Sequence, residues 1–150
     1  MKTKGFTLIE VLIVMAVVAI LVSIAVPSFQ GQMRKSRRAD AHAAMTSVQM
    51  AQERLRGNCR FYAQNLGGAD GCGAGANATT VRAGATSSEG FYTIAIRAGS
   101  ATGNGYVIEA TPQGAQAKDT ACNPIVLTMD PANPNGLKTP ANCWHMPLSN

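Results

Sequence analysis

Residues 6 to 26 read FTLIEVLIVMAVVAILVSIAV, an apolar run interrupted by a single carboxylate. About 20 apolar residues are enough to cross about 30 Å of hydrocarbon as a helix, so this stretch can span a bilayer. A cleaved secretory signal has a shorter apolar core, roughly 7 to 15 residues, followed by a small-residue cleavage site. Here the run continues to Pro27 without such a stop. The exception is Glu10, because an ionised carboxylate within hydrocarbon costs several kcal/mol unless it is paired or lies near the interface. Two explanations are open on physics alone. Glu10 either sits near the head groups and complements the positive pole of the helix N-terminus, or it needs a cation from outside the chain.

The flanking residues narrow this choice. Lys2-Thr3-Lys4-Gly5-Phe6-Thr7-Leu8-Ile9-Glu10, followed by Val11-Leu12-Ile13-Val14, resembles the class III signal of type IV pilins and type II secretion pseudopilins. The resemblance implies cleavage between Gly5 and Phe6 by a prepilin peptidase that also N-methylates the new terminus at Phe6. It further implies that Glu10 pairs with the terminal amine of a neighbouring subunit during assembly. A carboxylate satisfied only by a second subunit would penalise wrong register in a filament. The partners implied are other pilin subunits, the prepilin peptidase/N-methyltransferase and the inner-membrane pilus assembly machinery. The expected organisation is a leader at 1–5, a membrane and filament-core helix at 6–30, and a periplasmic head at 31–150. Before assembly the chain would be a single-pass inner-membrane protein, and afterwards part of a surface pilus.

Pro27 lacks an amide hydrogen and disfavours helix in the residue before it, so a kink or local melting is expected there. Beyond it, Met33, Arg34, Ala41, Ala44, Met45, Val48 and Leu55 keep a three-to-four spacing, which predicts an amphipathic helix to about Arg56, ended by Gly57-Asn58. A helix from 6 to 56 would be roughly 75 Å long. Residues 67 to 90 are rich in Gly, Ala, Ser and Thr and predict an irregular surface connection within a loop at 57–90. Alternation then predicts three strands: Tyr92, Ile94 and Ile96 on one face; Tyr106, Ile108 and Ala110; and Ile125, Leu127 and Met129. Gly99 to Gly105, containing Asn104-Gly105, joins the first two as a hairpin. The expected fold is α+β, a long N-terminal helix packed on an antiparallel sheet of three or four strands at 91–130, followed by a turn-rich C-terminal region. This matches the ladle shape that the pilin resemblance implies.

Cys59, Cys72, Cys122 and Cys143 lack the CxxC spacing of zinc and redox motifs and suit two disulfides in an oxidising compartment. Four cysteines allow three pairings. The sequential one, closing two short loops, is the expectation, and spacing alone leaves the others open. The 122–143 region resembles the disulfide-bounded C-terminus of pilins. The string from Tyr106 through TPQGAQAKDTAC to Asn142-Cys143-Trp144, with RKSRRADA at 34 to 41, is similar to PilE-type minor pilins.

The formal charge is +5, two units of which are the leader lysines Lys2 and Lys4. Arg34, Lys35, Arg37 and Arg38 lie close after the apolar run, with Asp40 three residues past Arg37. They read first as a solvated or salt-bridged helix face and second as a DNA- or partner-binding patch. Counted naively against the leader, these cations would place residues 34 to 150 in the cytoplasm. The cysteines and the pilin leader point the other way. No constellation supports an enzyme: His42 and His145 lack a readable acid or nucleophile partner and are expected at the surface. No metal site and no cofactor are expected. Three readings follow: a structural minor subunit of type IV pili that supports pilus biogenesis, twitching, adhesion or DNA uptake; a DNA-binding competence pilin; or a type II secretion pseudopilin. The second would use a basic stripe of Arg54, Arg56, Arg60, Arg82, Arg97, Lys118 and Lys138, with few aromatics for base stacking.

Overall fold

The computed structural model describes residues 6–144; the expectations that fall on Gly5 and His145 lie outside them. The chain divides into two compact units, one ending at Arg34 and the other beginning at Lys35. Helix α1 (Leu8–Arg56) contributes to both.

In the first unit the helix begins at Leu8, two residues later than expected, because Thr7 and Glu10 cap it. The Glu10 amide donates to Thr7 Oγ1 at 3.3 Å, and the Thr7 amide reaches back to Glu10 Oε2 at 3.5 Å. This is the reciprocal arrangement of a capping box, with a carboxylate at the positive end of the helix. In the isolated chain, therefore, Glu10 is not without partners. The apolar side chains after it, from Val11 to Val26, are exposed, as they must be on a helix that faces lipid or other subunits. Local melting at Pro27 does not occur: α1 remains helical through it. A proline removes one hydrogen bond from the ladder, and the turns on either side hold the helix together across that loss.

In the second unit α1 buries Ala41, Met45, Val48, Ala51, Gln52 and Leu55 along one face. Met33, expected on that stripe, is exposed. Against this face lies a four-stranded antiparallel sheet in the order β3-β4-β5-β6, formed by β3 (Tyr92–Ile96), β4 (Tyr106–Pro112), β5 (Ile125–Asp130) and β6 (Asn133–Thr139). The alternation in the sequence sets which side is covered: Tyr92, Ile94, Ile96, Tyr106, Ile108, Ala110, Ile125 and Leu127 all enter the core. Gly105 closes the β3–β4 hairpin where a Cβ would run into the Met129 carbonyl oxygen.

Two parts of the sheet structure depart from expectation. β6 occupies the segment read as turns. Pro134 is tolerated because β6 is the outermost strand, and Gly136, at φ +81°, leaves room for the Leu127 side chain. The connection at 67–90 is not wholly irregular either, since β1 (Asn65–Gly67) pairs in parallel with β2 (Thr80–Arg82).

Three polar contacts tie loops to the helix. Gln52, fully buried, accepts from the Ala63 amide at 2.9 Å and donates to the Ala63 carbonyl at 2.8 Å. The Arg38 guanidinium grips the Asp119 carboxylate with two bonds, Nε to Oδ2 at 2.7 Å and Nη2 to Oδ1 at 2.8 Å. His42 is half-buried rather than on the surface, its ring stacked on Trp144 at 4.6 Å between centroids and 4° between planes. Disulfides join Cys59 to Cys72 and Cys122 to Cys143.

Two stability predictions arise from these contacts. Removing one partner of a buried ion pair leaves the other charge unpaired, so Asp119→Ala should cost about 3 kcal/mol, read as a lower urea midpoint for a fragment of residues 31–150. The side chains of the pair are 13% and 8% exposed, so solvent screens it little. His42 has its pKa lowered from 6.5, chiefly by burial and further by Lys138 and Arg38, against the opposing effect of a hydrogen bond at Cys143. The unfolded chain then takes up the proton first. Stability from this residue is full above pH 6.5 and is lost as pH falls below it. Unfolding free energy measured against pH should decline there, and His42→Gln should flatten that decline; an unchanged slope would show that His42 is not its source.

Candidate nucleic-acid interface

The four cations at 34 to 38 do not form one available patch. Arg38 is committed to Asp119, and hydrogen bonding to that carboxylate holds it more firmly protonated than an ordinary arginine against the desolvation of the site. Its charge is thus paired within the fold, as the reading of a salt-bridged helix face expects for this residue. Arg37 lies over the Phe91 ring at 4.3 Å from the centroid. Asp40 accepts instead from the Glu89 amide at 3.2 Å. Arg34 falls in the first unit and Lys35 opens the second.

A different group of cations gathers where α1 ends. Arg54 and Arg56 occupy its last turn. Gly57-Asn58 turns the chain, Cys59 follows, and Arg60 stands next to it, exposed. The Arg56 guanidinium donates to the Cys59 carbonyl at 2.7 Å, which folds its side chain over the turn. The disulfide brings Cys72 to within 5.3 Å of Cys59, Cα to Cα, and with it Asp70. Asp70 receives the Arg82 backbone amide on Oδ1 at 2.7 Å and faces the Arg54 guanidinium from Oδ2 at 3.8 Å. Arg54, Arg56 and Arg60 thus stand on the helix end and turn next to the disulfide, and Asp70 links the Arg54 side chain to the backbone of Arg82 on β2.

The local charge balance is positive. Asp70 is the one carboxylate ion-paired with these arginines among the described residues. Glu53, nearby on α1, is engaged by the Tyr62 hydroxyl at 3.3 Å and by the Tyr106 hydroxyl at 3.3 Å. Burial first, then the negative charge of Glu53, pushes the Tyr106 hydroxyl far above the ordinary tyrosine range, so it stays a donor. Two aromatic rings accompany the cations: Arg60 lies 5.7 Å from the Phe61 ring centroid and Arg56 5.7 Å from that of Tyr62. Planar guanidiniums suit bidentate contact with phosphate oxygens.

Of the seven residues in the expected stripe, Arg54, Arg56 and Arg60 share the end of α1 and the turn after it, and Arg82 is joined to this region through its backbone amide on Asp70. Arg97 is neutralised across the β3–β4 pair by Glu109 at 2.6 Å. Lys118 sits in the 3-10 helix Gly114–Lys118, and Lys138 lies 5.3 Å from the Trp144 ring centroid. The part played by Asp70 had no local signal, since its partners lie 12 and 16 positions away in the sequence. Among the described residues no group of three or more His, Cys, Asp or Glu side chains is placed to hold a metal ion.

Comparisons with known proteins bear on both units. A family model described as the prokaryotic N-terminal methylation motif matches residues 1–26. A second, described as type IV minor pilin ComP, DNA uptake sequence receptor, matches residues 27–126. Among curated proteins the chain is 36% identical over 76 residues to prepilin peptidase-dependent protein D of Escherichia coli (strain K12), covering 51% of this chain and 47% of that protein. The chain thus spans about half the length of that relative. No solved structure matches. With a methylation motif at its start and a family model covering more than half of its length, the chain belongs to the type IV minor pilin ComP family.

Proposed function

We propose that this pilin binds duplex DNA at the surface of a type IV pilus and serves in DNA uptake. The observation that carries the reading is the group of arginines Arg54, Arg56 and Arg60 at the end of α1 beside Cys59–Cys72, within the residues matched by the DNA uptake sequence receptor family. This favours the competence pilin over a purely architectural minor subunit, and nothing in the fold favours a secretion pseudopilin. The protein is structural rather than catalytic. Phosphate contacts from arginine supply affinity that falls steeply with salt, and the protein displays few aromatic rings for stacking, so electrostatics dominates.

The expected route to that position begins with cleavage between Gly5 and Phe6, methylation of Phe6 and insertion of the apolar helix in the inner membrane. Glu10 would then exchange its own capping contacts for the amine of a neighbouring subunit.

Two measurements test the reading. Binding of residues 31–150 to a short duplex, measured at about 50 and about 200 mM salt, should weaken by orders of magnitude between the two. Arg60→Ala and Arg82→Ala should each lower the salt slope by about one. Affinity no tighter than that of any basic protein of equal charge, on every duplex tried, would refute DNA reception. Mass spectrometry of sheared filaments should find a peptide starting at N-methylated Phe6. An intact Met1 terminus, absent from filaments, would refute processing and incorporation.

A further inference from the structure

Among the described residues of the second unit, every Tyr, Trp and Phe side chain but one is used by the fold. Tyr92 and Tyr106 lie in the core, and Tyr62, Phe91 and Trp144 pack against it. Phe61 is the exception: it is partly exposed and takes no part in that packing. Its backbone is nevertheless firmly placed. Cys59, two residues earlier, is buried and disulfide-bonded. The Tyr62 amide donates to the Thr102 carbonyl at 2.9 Å, and Ala63, fully buried, has both of its backbone groups on Gln52. Gly103, where a Cβ would lie 4.0 Å from Phe61 Cδ1, has no side chain to cover the ring.

A lone exposed apolar side chain is common and by itself means little. The neighbours of this one give it a use. The Arg60 guanidinium lies 5.7 Å from the ring centroid, and no carboxylate among the described residues forms an ion pair with it. Arg54 and Arg56 stand one turn earlier, at the end of α1. A polyanion suits this surface, and DNA is a polyanion that also presents apolar surface, on the faces of its bases and on the thymine methyl group.

We propose that Phe61 is a base-contacting residue of the nucleic-acid interface, adding affinity that is independent of salt beside arginines whose contribution depends on it. The proposal rests on the DNA-binding reading above. The two kinds of contact are separable by physics. An arginine on a phosphate releases counterions and so steepens the fall of affinity with salt; a neutral ring releases none and changes affinity by the same factor at every salt concentration. Phenylalanine serves DNA-binding proteins in this way, as a wedge at a base step or against a thymine methyl. The fixed backbone on both sides of Phe61 means that little chain freedom is lost when the ring docks.

The test uses the full chain in detergent micelles and a fluorescent duplex, with anisotropy read at about 50, about 100 and about 200 mM salt. The native chain is compared with Phe61→Ala, Phe61→Tyr and Arg60→Ala, and near-ultraviolet circular dichroism of the alanine variants follows the buried tyrosines Tyr92 and Tyr106. In Phe61→Ala, affinity should fall about tenfold at each salt concentration, with the salt slope and the spectrum unchanged. Phe61→Tyr, which keeps the ring, should bind as the native chain does. Arg60→Ala should instead lower the slope by about one. Native affinity in Phe61→Ala would overturn the proposal and leave DNA binding standing. A slope lowered in Phe61→Ala as in Arg60→Ala would also overturn it, because the ring would then act only by holding Arg60. So would a lost aromatic spectrum, which would make Phe61 part of the fold, or a Phe61→Tyr chain as weak as Phe61→Ala. A native chain that binds no better than an equally charged protein would remove the functional reading and this proposal together.

Discussion

One face of one helix forms one wall of the core of the second unit. Ala41, Met45, Val48, Ala51 and Leu55 cover the inner face of the sheet, and among the described residues no second α-helix shares the task. The consequences follow from that economy. The sheet can bury one side only, so its strands must alternate. The helix register must be fixed, because a shift along the sheet would expose Met45 and Leu55 together. Apolar contact is non-directional and cannot fix register unaided. Gln52 and Arg38 do so, one by bonding both backbone groups of Ala63, the other through a two-bond grip on Asp119. A misplaced helix would leave buried polar groups unpaired, which costs more than the bonds contribute when made.

How much of this is legible in the sequence depends on the range of the interaction. The membrane-length run, the helix ending at Gly57-Asn58 and the strands at Tyr92, Tyr106 and Ile125 can be read because each is written in a local period or a local stop. β6 cannot, because Pro134, Asn135 and Gly136 are turn chemistry, and only the position at the sheet edge makes them acceptable in a strand. β1 and β2 are three residues each, too short for a period, and exist because the Cys59–Cys72 region folds back on itself. Arg38 reads as one more cation in RKSRR; its partner stands 81 residues away.

Arginine thus plays two opposed roles here, and burial separates them. Arg38 is desolvated and paired, so its charge is used up within the fold. Arg54, Arg60 and Arg82 are exposed, and Asp70, which pairs with Arg54 and accepts the Arg82 backbone amide, offsets only part of their charge. A surface proposed to meet a polyanion should be built in this way. The organising acid must be weak enough, through solvent exposure, to yield its arginines to phosphate, while the backbone contact from Arg82 keeps the loop in place after it yields.

The same logic of exchangeable partners applies to Glu10. Its carboxylate faces Thr7 and the start of α1, so a chain in the membrane does not carry an unsatisfied charge. That lowers the penalty for waiting unassembled. It also sets the standard a neighbouring subunit must meet, since an incoming amine has to exceed what the capping box already provides. The Thr7 to Glu10 bond at 3.5 Å is long, hence easily surrendered, whereas a full cation in the same low-dielectric surroundings forms a stronger, charge-assisted bond. Under the proposed assembly role, a correctly registered neighbour would win and a misregistered one would not. Selectivity of the proposed kind arises from the difference between two satisfied states rather than from rescue of an isolated charge.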